Sequence, residues 1–397
     1  MKKKILIFSH ALELGGAERS LIGLLNAIDP KICDVDLFLM RHEGELMEMI
    51  PSYVHLLPEV PAYTVLARPM KDTLKEGHFL LTTARLLGKV CAGYYEKKHR
   101  FIDSGVSLEY SHKFTCPFMP KVQPGIEYDL AISFLTPHYF VAQKVQAKKK
   151  IAWIHTDYTR VQVNVQSELA MWSAYDYIAS ISPAVTESFL QSFNELEDKI
   201  VRIENILPIE LIRKQADETA TGMDFDGIKL LSIGRFCTAK NFDNVPDICA
   251  RLVRSGLNVR WYLIGFGSDE ALIRQKIEAS GMSERVIVLG KKDNPYPYIK
   301  ACDLYIQPSR YEGKCVTVRE AQALGKPVVI TNYATASSQL EDGVDGLIVP
   351  MDNKECAAGI TNLLNSSSRM TELSRACQKR YYSNAQEVQK LYQLMEN

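Results

Sequence analysis

The feature that most limits the fold of this chain is a regular alternation of short apolar runs and helix-like segments. Each run has the length and apolar content of a buried strand, and a longer segment separates it from the next. The runs lie at 5–8, 35–40, 130–134, 151–154, 177–181, 229–233, 259–264, 285–289, 303–307, 327–330 and 346–349. Because strands that alternate with helices form parallel sheets with helices on both faces, the pattern predicts an α/β fold with doubly wound sheets.

A polar stretch at 210–227 divides this alternation into two series. With 397 residues, of which 46% are hydrophobic, the chain is long enough to build two cores of ordinary size. We place the boundary near residue 207, which predicts one domain over 1–207 and a second over 208–379. The remaining segment, 380–397, has apolar residues at helical spacing and is expected to form a helix.

Charge and cysteine content narrow the protein class. The chain carries 47 basic and 47 acidic residues, so no overall field attracts nucleic acid and we expect no such partner. Its nine cysteines are scattered without a Cys-x-x-Cys pair, which favours reduced thiols in the cytoplasm. The first apolar stretch is too short for a signal peptide, and no run of about eighteen apolar residues occurs. We therefore expect a cytoplasmic protein.

Residues 60–125 break the alternation. This segment carries ten basic and five acidic residues, a local net charge of +5. Within it, 79–95 is amphipathic and is followed by Lys97, Lys98 and Arg100. The pattern has two interpretations that the sequence leaves open. One is an inserted helical pair that packs on its own domain, and the other is a peripheral contact with an anionic membrane.

Two carboxylates lie eight residues apart across the start of a predicted helix. Glu312 follows a predicted strand on a loop, and Glu320 lies inside the helix. The first amides of a helix lack internal partners and carry the positive end of its dipole, so a diphosphate can dock near Val316 and Thr317. Lys314 precedes them and is either a further phosphate contact or a solvated loop lysine. A carboxylate further along the helix can bind ribose hydroxyls.

A second segment supplies two cations. The predicted strand at 229–233 runs into Gly234, which Arg235 and then Lys240 follow. We expect both cations to meet the same phosphates. Either segment alone would be an ordinary helix start or surface.

Together and in this order, the two segments resemble the retaining nucleotide-sugar glycosyltransferases of family four, which share Gly-Arg with a following Lys and then Glu-x7-Glu. The resemblance extends over most of the chain. It includes Gly15 and Gly16 before a helix expected over 20–27, a strand ending at His155 and Asp157, and the segments 325–332 and 342–350. One departure is Ile206, where the family often has glycine, and we leave the preceding Asn205 off the predicted site.

The resemblance implies the GT-B architecture, two Rossmann-like doubly wound domains that face each other across a cleft, with the C-terminal helix crossing back to the first domain. It also implies the site. Arg235 and Lys240 would stabilise the departing diphosphate, Glu312 would accept hydrogen bonds from the sugar, and Glu320 would hold the ribose. His155 would contact the transferred sugar or acceptor with Asp157 orienting nearby groups, although a structural histidine is the alternative. Gly15 and Gly16 would let the backbone approach the donor closely.

The implied substrates are a nucleotide-sugar donor, a UDP-sugar by preference, and a saccharide acceptor on polyprenyl diphosphate in capsular or other surface polysaccharide synthesis. The implied sugar is a hexose or N-acetylhexosamine, and it would be transferred with retention of configuration at the anomeric carbon. The implied place of the reaction is the inner face of the plasma membrane. We expect no cofactor and no required metal, because the cations and the helix start already serve the diphosphate. The acidic pairs at 34 and 36 and at 224 and 226 are attributed to chance spacing.

Three other functions fit parts of the sequence. Gly265 and Gly267 follow a strand as in a dinucleotide-binding loop, but Glu270 stands where the third glycine belongs, so an oxidoreductase is disfavoured. A UDP-sugar 2-epimerase would share the architecture and the nucleotide half. A catalytically inactive partner subunit would share the fold, and the intact set Arg235, Lys240, Glu312 and Glu320 argues against it.

Overall fold

A computed structural model describes residues 2–101, 104–217, 221–380 and 382–396. The chain separates into two compact units, one of residues 1–206 and 384–397 and the other of residues 207–383. The first division lies between Ile206 and Leu207, beside the boundary that we placed near residue 207. The return to the first unit comes at Asn384 rather than at 380. Of the residues in the expected C-terminal helix, Tyr381 and Asn397 lie outside the described residues.

Thirteen strands are present in the described residues, in two sheets. The first unit contains β1 Lys3–Ser9, β2 Cys33–Leu39, β3 His55–Leu56, β4 Tyr128–Ser133, β5 Ala147–Ile154, β6 Tyr177–Ser180 and β7 Ile200–Arg202. The second unit contains β8 Ile228–Ile233, β9 Val259–Ile264, β10 Val286–Gly290, β11 Leu304–Gln307, β12 Val328–Thr331 and β13 Leu347–Val349. The eleven apolar runs correspond to strands, and β3 and β7, which were not expected, are too short to produce a recognisable run.

The helices follow the strands in the order that the alternation predicts. They are α1 Gly16–Ala27, α2 Pro61–Thr64, α3 Met70–Lys75, α4 Phe79–His99, α5 Val106–Thr115, α6 His138–Lys144, α7 Val165–Trp172, α8 Pro183–Leu190, α9 Ile209–Gln215, α10 Val245–Arg254, α11 Glu270–Ala279, α12 Tyr296–Ala301, α13 Val316–Ala323, α14 Ala336–Gln339, α15 Asn353–Leu364, α16 Ser367–Lys379 and α17 Val388–Leu394. Two expected bounds are corrected. Helix α1 begins at Gly16 rather than at Ser20, and the C-terminal segment is helical only from Ala385, where a short 3-10 turn leads into α17.

Both sheets are parallel throughout. The first has the strand order β3-β2-β1-β4-β5-β6-β7 and the second the order β10-β9-β8-β11-β12-β13. In the second sheet the order reverses between β8 and β11, which pair directly through Leu230 with Leu304 and Leu231 with Tyr305. Loops that leave the carboxyl ends of two such strands diverge to opposite faces, and open α/β sheets bind ligands there. The two predicted segments of the site are the loops that follow β8 and β11.

The core of the second unit lies on both faces of its sheet. One cluster contains Ile233, Tyr305 and Val318, and the opposite cluster contains Leu230, Trp261 and Ile306. Alternate residues of β8 and β11 therefore face opposite layers of helices, as expected for a sheet covered on both faces. This packing holds the ends of both strands, and hence the site loops, in fixed positions.

The insertion between β3 and β4 is helical, with α4 packed against α5. Gly88 of α4 faces the backbone of Tyr110, and a Cβ at this glycine would lie 2.8 Å from the Tyr110 carbonyl oxygen. The helix pair is thus packed closely on one side. No helix in the described ranges has both the length and the apolar character needed to cross a bilayer.

Candidate active site

Lys240 and Glu312 meet where the loops after β8 and β11 come together. The Lys240 Nζ lies 2.5 Å from the Glu312 Oε1, and both side chains are largely shielded from solvent. The aliphatic part of Lys240 passes over Gly234, where a Cβ would lie 3.2 Å from the lysine Cδ and Cε. The glycine therefore leaves room for the lysine to reach across to the second loop.

Side chains from the end of β11 hold the Glu312 carboxylate. Ser309 donates a hydrogen bond to Glu312 Oε1 at 2.6 Å, and Gln307 Nε2 approaches the same oxygen at 3.4 Å. Tyr305 in turn donates to Gln307 Oε1 at 2.7 Å. The Glu312 carbonyl accepts from Thr335 at 2.8 Å. Both the side chain and the backbone of Glu312 are thus fixed by neighbours.

The charge of Lys240 is stable in this setting. Burial lowers its pKa, but the neighbouring Cys315 and Glu312 raise it by more, and the net pKa is above that of an ordinary lysine. Burial raises the pKa of the Cys315 thiol, which therefore stays neutral near pH 7, so we attribute the upward shift chiefly to Glu312. The site holds a protonated ammonium group against a carboxylate.

A second ion pair joins the same two loops. Arg310 donates to both carboxylate oxygens of Asp243, at 2.9 and 3.0 Å, and its backbone N–H donates to the Ala239 carbonyl at 2.8 Å. Lys276 also reaches Asp243 at 2.8 Å. Bidentate arginine pairs fix geometry as well as charge. The loop that carries Glu312 is therefore attached to the loop that carries Lys240 at two points.

Arg235 lies on the β8 loop with its side chain exposed. Its neighbour Phe236 is buried, and the Phe236 N–H donates to the Phe266 carbonyl at 2.8 Å. The backbone that carries Arg235 is thus anchored, whereas the guanidinium group faces solvent. The structure does not place this guanidinium on the Lys240–Glu312 pair.

Helix α13 begins at Val316, in the segment predicted to bind the diphosphate. Cys315 is the N-cap residue, and its N–H donates to Gln339 Oε1 at 2.7 Å. Val316 and Thr317 form the first turn and are half-buried, as is Lys314 before them. The Thr317 hydroxyl lies 3.3 Å from the Cys315 thiol.

Glu320 is further inside α13 and only 1% exposed. Its Oε1 accepts a hydrogen bond from the Tyr296 hydroxyl at 3.0 Å. The carboxylate therefore has a protein partner in this structure, and its role toward ribose stays a prediction.

In the first unit, the predicted residues follow β1 and β5. His155 is half-buried, its ring lies 4.7 Å from that of Phe134, and its shielded Nε2 has no hydrogen-bond partner among the described residues. Burial lowers the pKa of His155 to about 4, against a smaller upward effect of the Phe134 backbone, so the imidazole is neutral at pH 7. Asp157 caps a 3-10 turn and accepts from the Thr159 N–H at 2.9 Å and its hydroxyl at 2.7 Å.

Gly15 is the N-cap residue of α1, and Gly16 is the first residue of that helix. A Cβ at Gly15 would collide with the Glu18 carboxylate, which folds back over the helix start. Because that carboxylate ends a flexible side chain and can move away, the local packing does not itself require glycine at this position. Asn205, which we left off the site, accepts a hydrogen bond from Ser20 of α1 at 2.9 Å.

The glycines of the rival dinucleotide-binding pattern have another explanation. Gly265 and Gly267 have φ values of +149° and +154°, and a Cβ at either position would collide with the backbone oxygens of Gly234 or Phe236. They are needed because the loop after β9 packs directly against the loop after β8. The pattern thus belongs to the support of the Arg235 loop.

The structure of this chain resembles solved glycosyltransferase structures over its whole length. HepE of Anabaena, solved with UDP, matches with a TM-score of 0.66 at 16% identity, covering 100% of both chains. TarM of S. aureus matches with a TM-score of 0.69 at 14% identity, covering 100% of this chain and 99% of the other. The chain has the GT-B fold. The prediction of two Rossmann-like parallel-sheet units is confirmed.

The sequence of the second unit of this GT-B chain also matches a family model. Residues 214–382, nearly all of that unit, match the family model described as glycosyl transferases group 1. The lipopolysaccharide core biosynthesis glycosyltransferase LpsE of Rhizobium meliloti is 29% identical over 150 residues, 38% of this chain and 43% of the relative. An N-acetylgalactosaminyltransferase of Campylobacter jejuni, named for a diphospho-undecaprenol acceptor, is 27% identical over 180 residues, 45% of this chain and 48% of the relative. The chain thus spans less than two-thirds of the length of these curated relatives.

Several residues of this GT-B site were missed from sequence. Gln307 and Ser309 hold Glu312, and Tyr296 holds Glu320. A signal existed for Gln307, a buried polar residue that ends the apolar run of β11. Tyr296 and the Arg310–Asp243 pair gave none, because their partners are distant in sequence.

Proposed function

We propose that this chain is a glycosyltransferase that moves a hexose or an N-acetylhexosamine from a nucleotide-sugar to a saccharide acceptor. The observation that carries the proposal is the Lys240–Glu312 pair, held between the β8 and β11 loops of the unit that matches the group 1 glycosyl transferases. In a catalytically inactive subunit this pair would serve only to hold the two loops together, so the activity assay below separates the two functions.

Bond cleavage in the donor half is an electrostatic problem. When the bond from the anomeric carbon to the diphosphate breaks, negative charge collects on the leaving diphosphate. Lys240 and Arg235 supply positive charge, and the start of α13 near Val316 and Thr317 supplies oriented dipoles, to stabilise it. Lys314 adds a further cation at the loop. No metal ion is part of this proposal, because these groups already serve the diphosphate.

The carboxylates bind the neutral parts of the donor. Glu312 accepts hydrogen bonds from hydroxyls of the transferred sugar, and Glu320 accepts from the ribose. In the first unit, neutral His155 with its unpartnered Nε2 contacts the transferred sugar, Asp157 orients that loop, and Gly15 and Gly16 allow the backbone to approach the donor. The acceptor hydroxyl attacks from the face that the diphosphate leaves, so anomeric configuration is retained.

The substrates are the finer part of the proposal. UDP is the nucleotide we favour, since the HepE structure contains it. A saccharide on polyprenyl diphosphate is the acceptor we favour, supported by the name of the Campylobacter jejuni relative. The LpsE name supports synthesis of surface polysaccharide. We place the reaction at the inner face of the plasma membrane, where such acceptors are extended.

Titration calorimetry and product analysis test this proposal. We expect UDP to bind the wild type and GDP to bind it more weakly. Arg235→Ala should bind UDP at least tenfold more weakly, while Arg375→Ala, which changes an exposed arginine of α16, should bind it like the wild type.

A UDP-sugar panel with EDTA present should give slow donor hydrolysis. With a polyprenyl-diphosphate saccharide added, an α-linked donor should give an α-linked product. Free 2-epimerised sugar would instead identify an epimerase. Absence of nucleotide binding by the wild type would reject the donor site.

A further inference from the structure

Helix α4 presents an exposed apolar surface. We define the outer face of α4 as Phe79, Leu80, Leu86, Leu87, Val90 and Tyr94. These residues recur at helical spacing and lie on one side of the helix. Their exposed fractions are 65% for Phe79, 60% for Leu80, 51% for Leu86, 53% for Leu87, 63% for Val90 and 73% for Tyr94. Single exposed apolar residues are ordinary, whereas six on one side of a helix, with Thr83 as the polar residue among them, mark an interaction surface.

The inward side of α4 has the opposite character. Its buried residues are Leu81, Thr82, Ala84, Gly88 and Ala92, and all of these except Leu81 are small. Arg85 also points inward, where it donates hydrogen bonds to the backbone carbonyls of Val65 and Arg68, both at 2.6 Å. A helix that merely packed on its own domain would turn its large apolar side chains inward. Apart from Leu81, this helix is therefore fixed to its unit by small and polar contacts, and most of its large apolar side chains face outward.

The charges around the outer face have one sign. Exposed Lys97 and Lys98 continue the same side of the helix at its C-terminal end, and exposed Arg100 follows. Lys97 lies about five turns from Phe79 on the same line along the helix. Glu96, the single acidic residue in the α4 sequence, lies off this line. The surface thus combines an apolar strip with a basic end.

We propose that the outer face of α4 docks on an anionic lipid bilayer. The helix lies in the interface with Phe79, Leu86, Val90 and Tyr94 inserted among acyl chains, while Lys97 and Lys98 contact anionic headgroups. Charge complementarity favours the bilayer over a second copy of this chain, because anionic headgroups would pair with Lys97 and Lys98, whereas the outer face of a second copy offers them no acidic residue. The inference rests on the proposed function only for the side of the membrane concerned.

Vesicle flotation of the full-length chain tests this docking. We expect binding to vesicles of phosphatidylcholine with about one-third phosphatidylglycerol, and much weaker binding to phosphatidylcholine alone. Val90→Ser with Tyr94→Ser should abolish flotation, and Lys97→Gln with Lys98→Gln should weaken it about tenfold or more. Leu272→Ser, which changes an exposed apolar residue of α11 in the second unit, is the matched control and should float like the wild type. Thermal unfolding should be unchanged in all these variants, because every altered side chain is exposed.

Cys91 offers a direct probe. It is the one cysteine classed as exposed among the described residues, and it lies beside Val90 and Tyr94 along α4. A polarity-sensitive fluorophore on Cys91 should shift to the blue when anionic vesicles are added. A wild type that neither floats nor shifts with anionic vesicles overturns the proposal. Disulfide-linked Cys91 dimers with no flotation would overturn it in favour of a second copy as the occupant.

The same preparations separate this inference from the proposed function. Arg235→Ala should float normally although it binds UDP poorly, and Val90→Ser with Tyr94→Ser should bind UDP normally although it does not float. A wild-type protein that floats with vesicles but does not bind UDP would reject the proposed function alone. A wild-type protein that binds UDP but does not float would reject the docking alone.

Discussion

Lys240 Nζ contacts Glu312 Oε1 at 2.5 Å across 72 positions of sequence. The two side chains form a mostly buried ion pair, with 18% of the lysine and 11% of the glutamate side chain exposed. Breaking a buried pair by removing one partner leaves an uncompensated charge, which costs more than the pair itself contributes. The two residues are therefore coupled in stability as well as in the proposed chemistry.

Lys240→Met should destabilise the second unit by about 2–3 kcal/mol, somewhat less than for a fully buried pair because both groups keep some exposure. The double variant Lys240→Met with Glu312→Gln should lose less stability than the sum of the two single variants, because it leaves no buried charge without its partner. Urea unfolding of the four proteins measures this coupling. Additive effects within about 0.3 kcal/mol would show that the contact does not contribute.

Arg235→Ala should leave unfolding unchanged, because the side chain is exposed, yet reduce sugar transfer by about 100-fold or more if its charge stabilises the leaving diphosphate. Lys240→Met should lose both activity and stability. Steady-state kinetics beside thermal unfolding separates the two residues. Arg375→Ala serves again as the control, and an Arg235→Ala enzyme with wild-type kinetics would remove Arg235 from the site.

Gly265→Ala should destabilise the second unit by about 2–3 kcal/mol, because the residue has a φ of +149° and its new Cβ would strike the Gly234 carbonyl. Gly256→Ala is the matched control. Gly256 has a φ of +90° with nothing within 4 Å of the added Cβ, so only backbone strain is introduced, at about 1 kcal/mol. Equal effects of the two substitutions in urea unfolding would contradict the close loop packing.

Much of the fold follows from local pattern. A buried strand must be apolar along its length, and the helices between such strands force a parallel sheet, so both sheets were predictable from runs such as that of β11. Strands β3 and β7 were not, because two or three residues carry no period. Likewise, the amphipathic pattern of α4 was visible, but which side faces outward depends on Gly88 and α5, which pack together only in the folded chain.

The candidate site was predictable in part for the same reason. Residue types and order placed Lys240 and Glu312 at strand ends, and the adjacency of β8 and β11 brings them together. Sequence contains no measure of distance between loops, so the direct ion pair was not expected. The Glu320–Tyr296 bond also depends on how α12 packs against α13, a tertiary contact with no local signal.

Acidification should weaken the first unit. Burial lowers the pKa of His112 and of His138 to about 3 and that of His155 to about 4, with repulsion from His138, His10 and Arg85 adding to the effect at His112. These groups bind protons more readily when unfolded, so their contribution is complete above about pH 6.5 and is lost as pH falls below that value. Between pH 7.5 and 5.5 the three histidines together should lower the free energy of unfolding by on the order of 4 kcal/mol.

Glu168 opposes this loss. Burial raises its pKa to about 7, against the hydrogen bonds from Tyr158 and Trp172, so the folded state binds its proton first as pH falls. Protonation of Glu168 raises the free energy of unfolding by on the order of 2 kcal/mol over the same interval. The net loss of stability is therefore about 2 kcal/mol. Glu168→Gln, which keeps an acceptor for both donors, should therefore double the loss. Both proteins are made in a Trp261→Phe background, so that the remaining tryptophans 153 and 172 report on the first unit. Urea unfolding at pH 7.5 and 5.5 then measures how the free energy of unfolding changes with pH, with and without Glu168. Equal stability at the two pH values, or the same slope with and without Glu168, would show that these groups titrate alike in the folded and unfolded chain.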